Sequence, residues 1–126
     1  MEDDSTIDTD MDGFNGIFPQ GYMAWVFGSC SESIAAYNWL KSSAEGDGSL
    51  VCYAGDPEYS LSVNIYAMSA SVNGKPVPRT SLDWLIGNTY DHDDGGVIDT
   101  ADPSSDKYSN VQGFTIIALL GCPNML

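Results

Sequence analysis

Apolar and polar positions alternate most clearly over residues 59–68. Leu61, Val63, Ile65 and Ala67 fall on one side, and Ser60, Ser62 and Asn64 on the other. A period of two predicts a strand with one buried and one wet face. Residues 22–27 (Tyr-Met-Ala-Trp-Val-Phe) are aromatic and β-branched over a strand's length. Residues 49–54 read as a short strand, and residues 112–120, rich in Ile and Leu, as the last. A different period governs residues 30–45. At ~100° per residue, Cys30, Ile34, Tyr37, Leu40 and Ala44 line up as one helical stripe. Ser29 and Glu32 stand three apart as a capping box before it. A second, shorter helix is predicted over 81–86 and stopped by Gly87. Turn chemistry falls between these runs, at Gly46-Asp47-Gly48, Gly55-Asp56-Pro57 and Asn73-Gly74 with Pro76 and Pro78.

The order β-α-β-β-α-β predicts an α+β fold of the ferredoxin-like, split β-α-β type. Its antiparallel sheet would carry both helices on one face. The chain has 126 residues, a length suited to one domain spanning 1–126. Residues 1–20 read as an acidic or irregular arm and residues 21–122 as the body. The last strand would be apolar on both faces, with Phe114, Ile116, Ala118 and Leu120 on one and Ile117 and Leu119 on the other. An exposed edge of that kind invites pairing, either with the arm or with a second copy of the chain.

Charge changes the picture. Acids number 18 and bases 4, a formal net charge of -14. Six acids lie in residues 2–12 (Glu2, Asp3, Asp4, Asp8, Asp10, Asp12), and six in residues 91–106 (Asp91, Asp93, Asp94, Asp99, Asp102, Asp106). The remainder is close to neutral, so the negative potential is concentrated at two places. Direct nucleic-acid binding through a basic face is excluded on these grounds. Concentrated like charge repels itself in a compact state and calls for a cation, a basic partner or solvation to offset it.

One acidic stretch has the spacing of a metal loop. Residues 91–102 resemble an EF-hand-type calcium loop, with carboxylates at loop positions 1, 3, 9 and 12 and glycine at position 6. The resemblance implies Ca²⁺ ligands at Asp91, Asp93, Asp99 and Asp102, with the backbone carbonyl of Val97 at position 7. Position 5 is Gly95, where water would have to substitute. Residues 8–13 repeat the opening of such a loop but lack its later ligands. No other cofactor is implied.

Catalytic chemistry has little to draw on. The three cysteines, Cys30, Cys52 and Cys122, form no CxxC pair, and His92 is the single histidine. No phosphate-binding or dinucleotide motif occurs. A non-enzymatic binding protein is therefore expected. No apolar run approaches the ~20 residues of a membrane span, and the acidic start is the reverse of a secretory leader. A cytoplasmic location is expected on that basis.

Two functional readings follow. In the first, the chain is an acidic inhibitor that imitates nucleic acid and occupies the basic nucleic-acid-binding surface of a protein target. Phage-encoded anti-CRISPR and anti-restriction proteins work in this manner, and the likeness is one of charge and size. Asp8, Asp10 and Asp12 in extended backbone would recur every ~6.8 Å on one side, and Asp91, Asp93 and Asp94 would form a second patch. Trp39, opposite the helical stripe, is a further candidate for partner contact. In the second reading the chain is a phage virion component, a capsid decoration or tail protein, stapled by calcium at 91–102.

Overall fold

The computed structural model describes residues 17, 20–21, 25–26, 28, 30–51 and 57–121. Four helices organise them: α1 (Ser31–Ser43), α2 (Ser60–Val72), α3 (Arg79–Thr89) and α4 (Ser109–Leu120). No strand or sheet occurs among the described residues. Extended pairing is limited to three isolated bridges, Val51 with Glu58, Tyr59 with Thr100, and Tyr90 with Val97. The ferredoxin-like α+β expectation is thus overturned: the described part is all-helical.

The central helix explains the error. α2 is buried from Ser62 to Ala70 without a break, so no side of it faces water. A helix apolar all round shows no 3.6-residue stripe. Its small polar residues are buried as well, and the alternation of residues 60–67 is coincidental. Ser69 satisfies its hydroxyl on the Tyr66 carbonyl at 2.7 Å, and Ser60 reaches the carbonyls of Ile98 and Asp99 at 2.9 and 3.1 Å. Back-bonding of this kind makes serine tolerable inside a helix.

The other helices pack on α2. α1 joins it through stacked Tyr37 and Tyr66 rings, with centroids 5.9 Å apart, and through Ser33 Oγ donating to Asn73 Oδ1 at 2.9 Å. The predicted helix of residues 30–45 is therefore present, though its cap lies one residue later than expected. Cys30 Sγ accepts from Ser33 N at 3.4 Å. α3 contributes Leu82, Trp84 and Leu85 to the core, and it runs through Gly87 rather than stopping there. Leu40, Leu50, Ile65, Leu82 and Leu85 are fully buried, each stabilising the fold by about 1.5–3 kcal/mol.

α4 replaces the predicted last strand. Val111, Thr115 and Ala118, spaced for a helix, are its buried residues, while Ile116 and Leu120 are 63% and 75% exposed. Phe114 and Leu119 are partly buried against the core beside them, while Ile116 and Leu120 face outward. Asn64 Nδ2 on α2 donates to Thr115 Oγ1 at 2.8 Å, and that hydroxyl donates in turn to the Val111 carbonyl at 2.7 Å. The apolar C-terminal segment expected to pair as a strand is this helix instead. Of the predicted strand at 22–27, the described Trp25 and Val26 have helical backbone. Of that at 49–54, residues 52–54 lie outside the described part, and Val51 makes only its isolated bridge. No described helix is long and apolar enough to cross a membrane.

Candidate functional site: the acidic loop between α3 and α4

Residues 90–108 link α3 to α4 and carry six of the aspartates. Their path is held by specific bonds. The first arc closes on itself: Asp91 N donates to the Gly96 carbonyl, and Gly95 N to the Asp91 carbonyl, both at 2.8 Å. Gly95 and Gly96 make this reversal at φ 79° and 81°, a left-handed backbone that other residues adopt at a cost. One carboxylate oxygen of Asp91 accepts from the N–H groups of Asp93 and Asp94 at 2.9 and 3.1 Å. The other meets Lys107 Nζ at 2.8 Å, and the same ammonium donates to the Gly95 carbonyl at 2.8 Å. Lys107 above all, then the Asp94 and Asp93 amides, holds the Asp91 carboxyl down at about 2.

The second arc is pinned at both ends. Asp99 N donates to the Asp106 carbonyl at 2.8 Å, and Ser60 N to the Asp99 carbonyl at 2.9 Å. Asp102 accepts from Ser104 N and Ser104 Oγ at 2.9 and 2.8 Å, which lowers its pKa. Burial, and then the neighbouring Asp106 charge, raises that of Asp99. Val97 is buried between the arcs and grips α4. Its N–H donates to Gln112 Oε1 at 2.8 Å, and its carbonyl accepts from Gln112 Nε2 at 2.7 Å.

These bonds use the groups that a calcium loop would aim inward. Asp91 is turned to its own amides and Lys107, Asp102 to Ser104, and the Val97 carbonyl to Gln112. Asp93 and Asp94 are exposed, and Asp99 is half-buried. Among the described residues, no three His, Cys, Asp or Glu side chains gather closely enough to hold a metal ion. The calcium-type spacing of Asp91, Asp93, Val97, Asp99 and Asp102 is thus folded into a hydrogen-bonded loop without converging carboxylates.

What the loop does bring together is exposed charge on a fixed frame. Asp93, Asp94, Asp102 and Asp106 all reach solvent, and Lys107 is the single base in the segment. His92 packs edge-on against Tyr90, with centroids 5.0 Å apart. Trp39 is half-buried and leans on the core rather than standing free. The remaining predicted patch, Asp8, Asp10 and Asp12, lies outside the described residues. Sequence reasoning missed Lys107, Gln112 and Ser60 as the residues that fix the loop. Lys107 had a signal, being the first base after six aspartates; Ser60 and Gln112 had none. Searches of protein families, curated proteins and solved structures find nothing that matches this chain.

Proposed function

We propose that the chain is a non-enzymatic binding protein whose acidic loop, residues 91–106, engages a basic nucleic-acid-binding surface of a protein partner. One observation carries this reading. Four exposed aspartates sit on a loop whose backbone is fixed by Asp91–Lys107, Val97–Gln112 and Asp99–Ser60 contacts. A fixed array of carboxylates loses little conformational freedom on docking, which favours affinity. Its field also speeds encounter with a basic surface. Nucleic-acid mimicry of the anti-CRISPR or anti-restriction type is the specific form proposed, with Asp8, Asp10 and Asp12 as a second patch.

The test is competition. The chain is added to a basic nuclease together with its nucleic acid, at rising salt. Displacement that weakens with salt, and that falls when Asp93, Asp94, Asp102 and Asp106 are changed to Asn, supports the reading. Displacement unaffected by both refutes it.

A second reading, a virion assembly component, draws on α4. Its outer face carries Ile116, Ile117 and Leu120, exposed by 63%, 41% and 75%. Self-association in sedimentation that disappears in Leu120→Ser would favour it. A monomer at all concentrations would count against it.

A further inference from the structure

Asn73 and Gly74 stand where α2 ends, and each has a structural task there. Gly74 reverses the chain at φ 64°, a left-handed backbone that glycine adopts without steric cost. Its N–H donates to the Ser71 carbonyl at 3.2 Å, and Lys75 N donates to the Ala70 carbonyl at 2.9 Å. This pair of bonds closes a helix on a left-handed glycine. Asn73, the C-cap, ties α2 to α1. Its Oδ1 accepts from Ser33 Oγ at 2.9 Å, and its Nδ2 donates to the Ser69 carbonyl at 2.8 Å. Ser33 is fully buried, whereas Gly74 is exposed.

An asparagine followed by glycine is prone to spontaneous deamidation, because no side chain on the second residue shields its nitrogen. The Gly74 nitrogen gives its proton to solvent and bonds to Asn73 Cγ. The Cγ–Nδ2 bond breaks, Nδ2 takes a proton from solvent and leaves as ammonia, and a five-membered succinimide remains. Water then adds to either ring carbonyl and opens the ring to aspartate or isoaspartate. The native contacts oppose the first step at both reacting groups. The attacking nitrogen holds its proton on the Ser71 carbonyl, and the amide under attack is held by Ser33 and Ser69. Ring closure therefore requires the last turn of α2 to open, an event local to the helix end.

The product does not fit the place it came from. Aspartate has no Nδ2 donor for the Ser69 carbonyl and sets an oxygen against it. Its charge falls at the negative end of the α2 dipole, in a chain already at -14. Isoaspartate adds a backbone atom before Gly74, which shifts the Gly74 and Lys75 amides away from their acceptors. We propose that Asn73–Gly74 is a self-modification site, which deamidates through local opening of the α2 C-terminal turn, and that the carboxylate so formed loosens the contact between α1 and α2.

The test incubates the full chain at mildly alkaline pH, native and in guanidinium, and follows conversion at Asn73 by peptide mass spectrometry. In guanidinium, Asn73 is expected to convert ahead of Asn64, Asn88 and Asn110, which precede Ile, Thr and Val. Native conversion is expected to be slower by roughly tenfold or more. Ser33→Ala raises the native rate about threefold or more. Thr115→Val, which loosens α4 and leaves the Asn73 bonds in place, keeps it within about twofold. Asn73→Asp is expected to speed amide exchange at Gly74, Lys75 and Tyr37 while Leu82 and Leu85 stay protected. Equal rates in the native and unfolded chains overturn the proposal, as does a native chain that never converts. So do equal rates in Ser33→Ala and Thr115→Val, or exchange unchanged in Asn73→Asp.

Discussion

Asn64 is buried between α2 and α4, and its amide nitrogen has two acceptors there, Thr115 Oγ1 at 2.8 Å and the Val111 carbonyl at 3.4 Å. Its Oδ1 has no partner among the described residues. Thr115→Val keeps the shape and removes the shorter bond, leaving a buried donor with only the longer contact. The expected cost is about 1–3 kcal/mol, read as a lower urea midpoint. At Asp91 the sign follows from a lowered pKa. With the folded value at about 2 against an ordinary 3.8, the carboxylate adds stability above pH 3.8. That contribution is lost as the pH falls from 3.8 through about 2. Asp99 acts in the opposite sense, since its raised pKa makes ionisation unfavourable to the fold. A carboxyl NMR titration is expected to find Asp91 titrating below Asp99, and Lys107→Met to move it back towards 3.8. An unchanged Asp91 titration in that variant would show that Lys107 does not hold the carboxylate.

Individual elements show what could be read from sequence and what could not. α1 was legible because one face of it is wet and the other packs, so Tyr37 and Leu40 recur with the helical period. α2 was not, because burial all round removes the contrast on which periodicity depends. α4 misled for the reverse reason. Its contact face uses Val111, Thr115 and Ala118 with Phe114 and Leu119 partly buried beside them, whereas Ile116 and Leu120, which also read as core, face out. The loop's acidic character was plain in the composition, but its shape was not, since it depends on Lys107, Gln112 and Ser60 meeting it across the fold. Gln112 alone supplies both bonds to Val97. Gln112→Ala is expected to speed amide exchange at Val97 and its loop neighbours while α2 and α3 stay protected. Exchange that is unchanged at Val97 would show that the loop is held without α4. Gly48→Ala places a Cβ 2.5 Å from the Thr80 carbonyl carbon at φ 89°, and a loss of at least about 1–3 kcal/mol is expected in thermal melts.

At the scale of the molecule, the net charge of -14 meets only four bases. Of these, Lys107 is committed to Asp91, Arg79 pairs with Asp83, and Lys75 lies over the Tyr37 ring. Screening weakens self-repulsion, so the melting temperature is expected to rise from low to moderate salt. A fall would mean that attractive pairs outweigh repulsion. The most direct measurement is the salt dependence of affinity for a basic nucleic-acid-binding protein, compared between the native chain and Asp93→Asn/Asp94→Asn/Asp102→Asn/Asp106→Asn. The account predicts tight binding at low salt that weakens steeply as salt rises, and a shallower slope with weaker binding in the variant. Equal affinity and equal slope in the two proteins would contradict it.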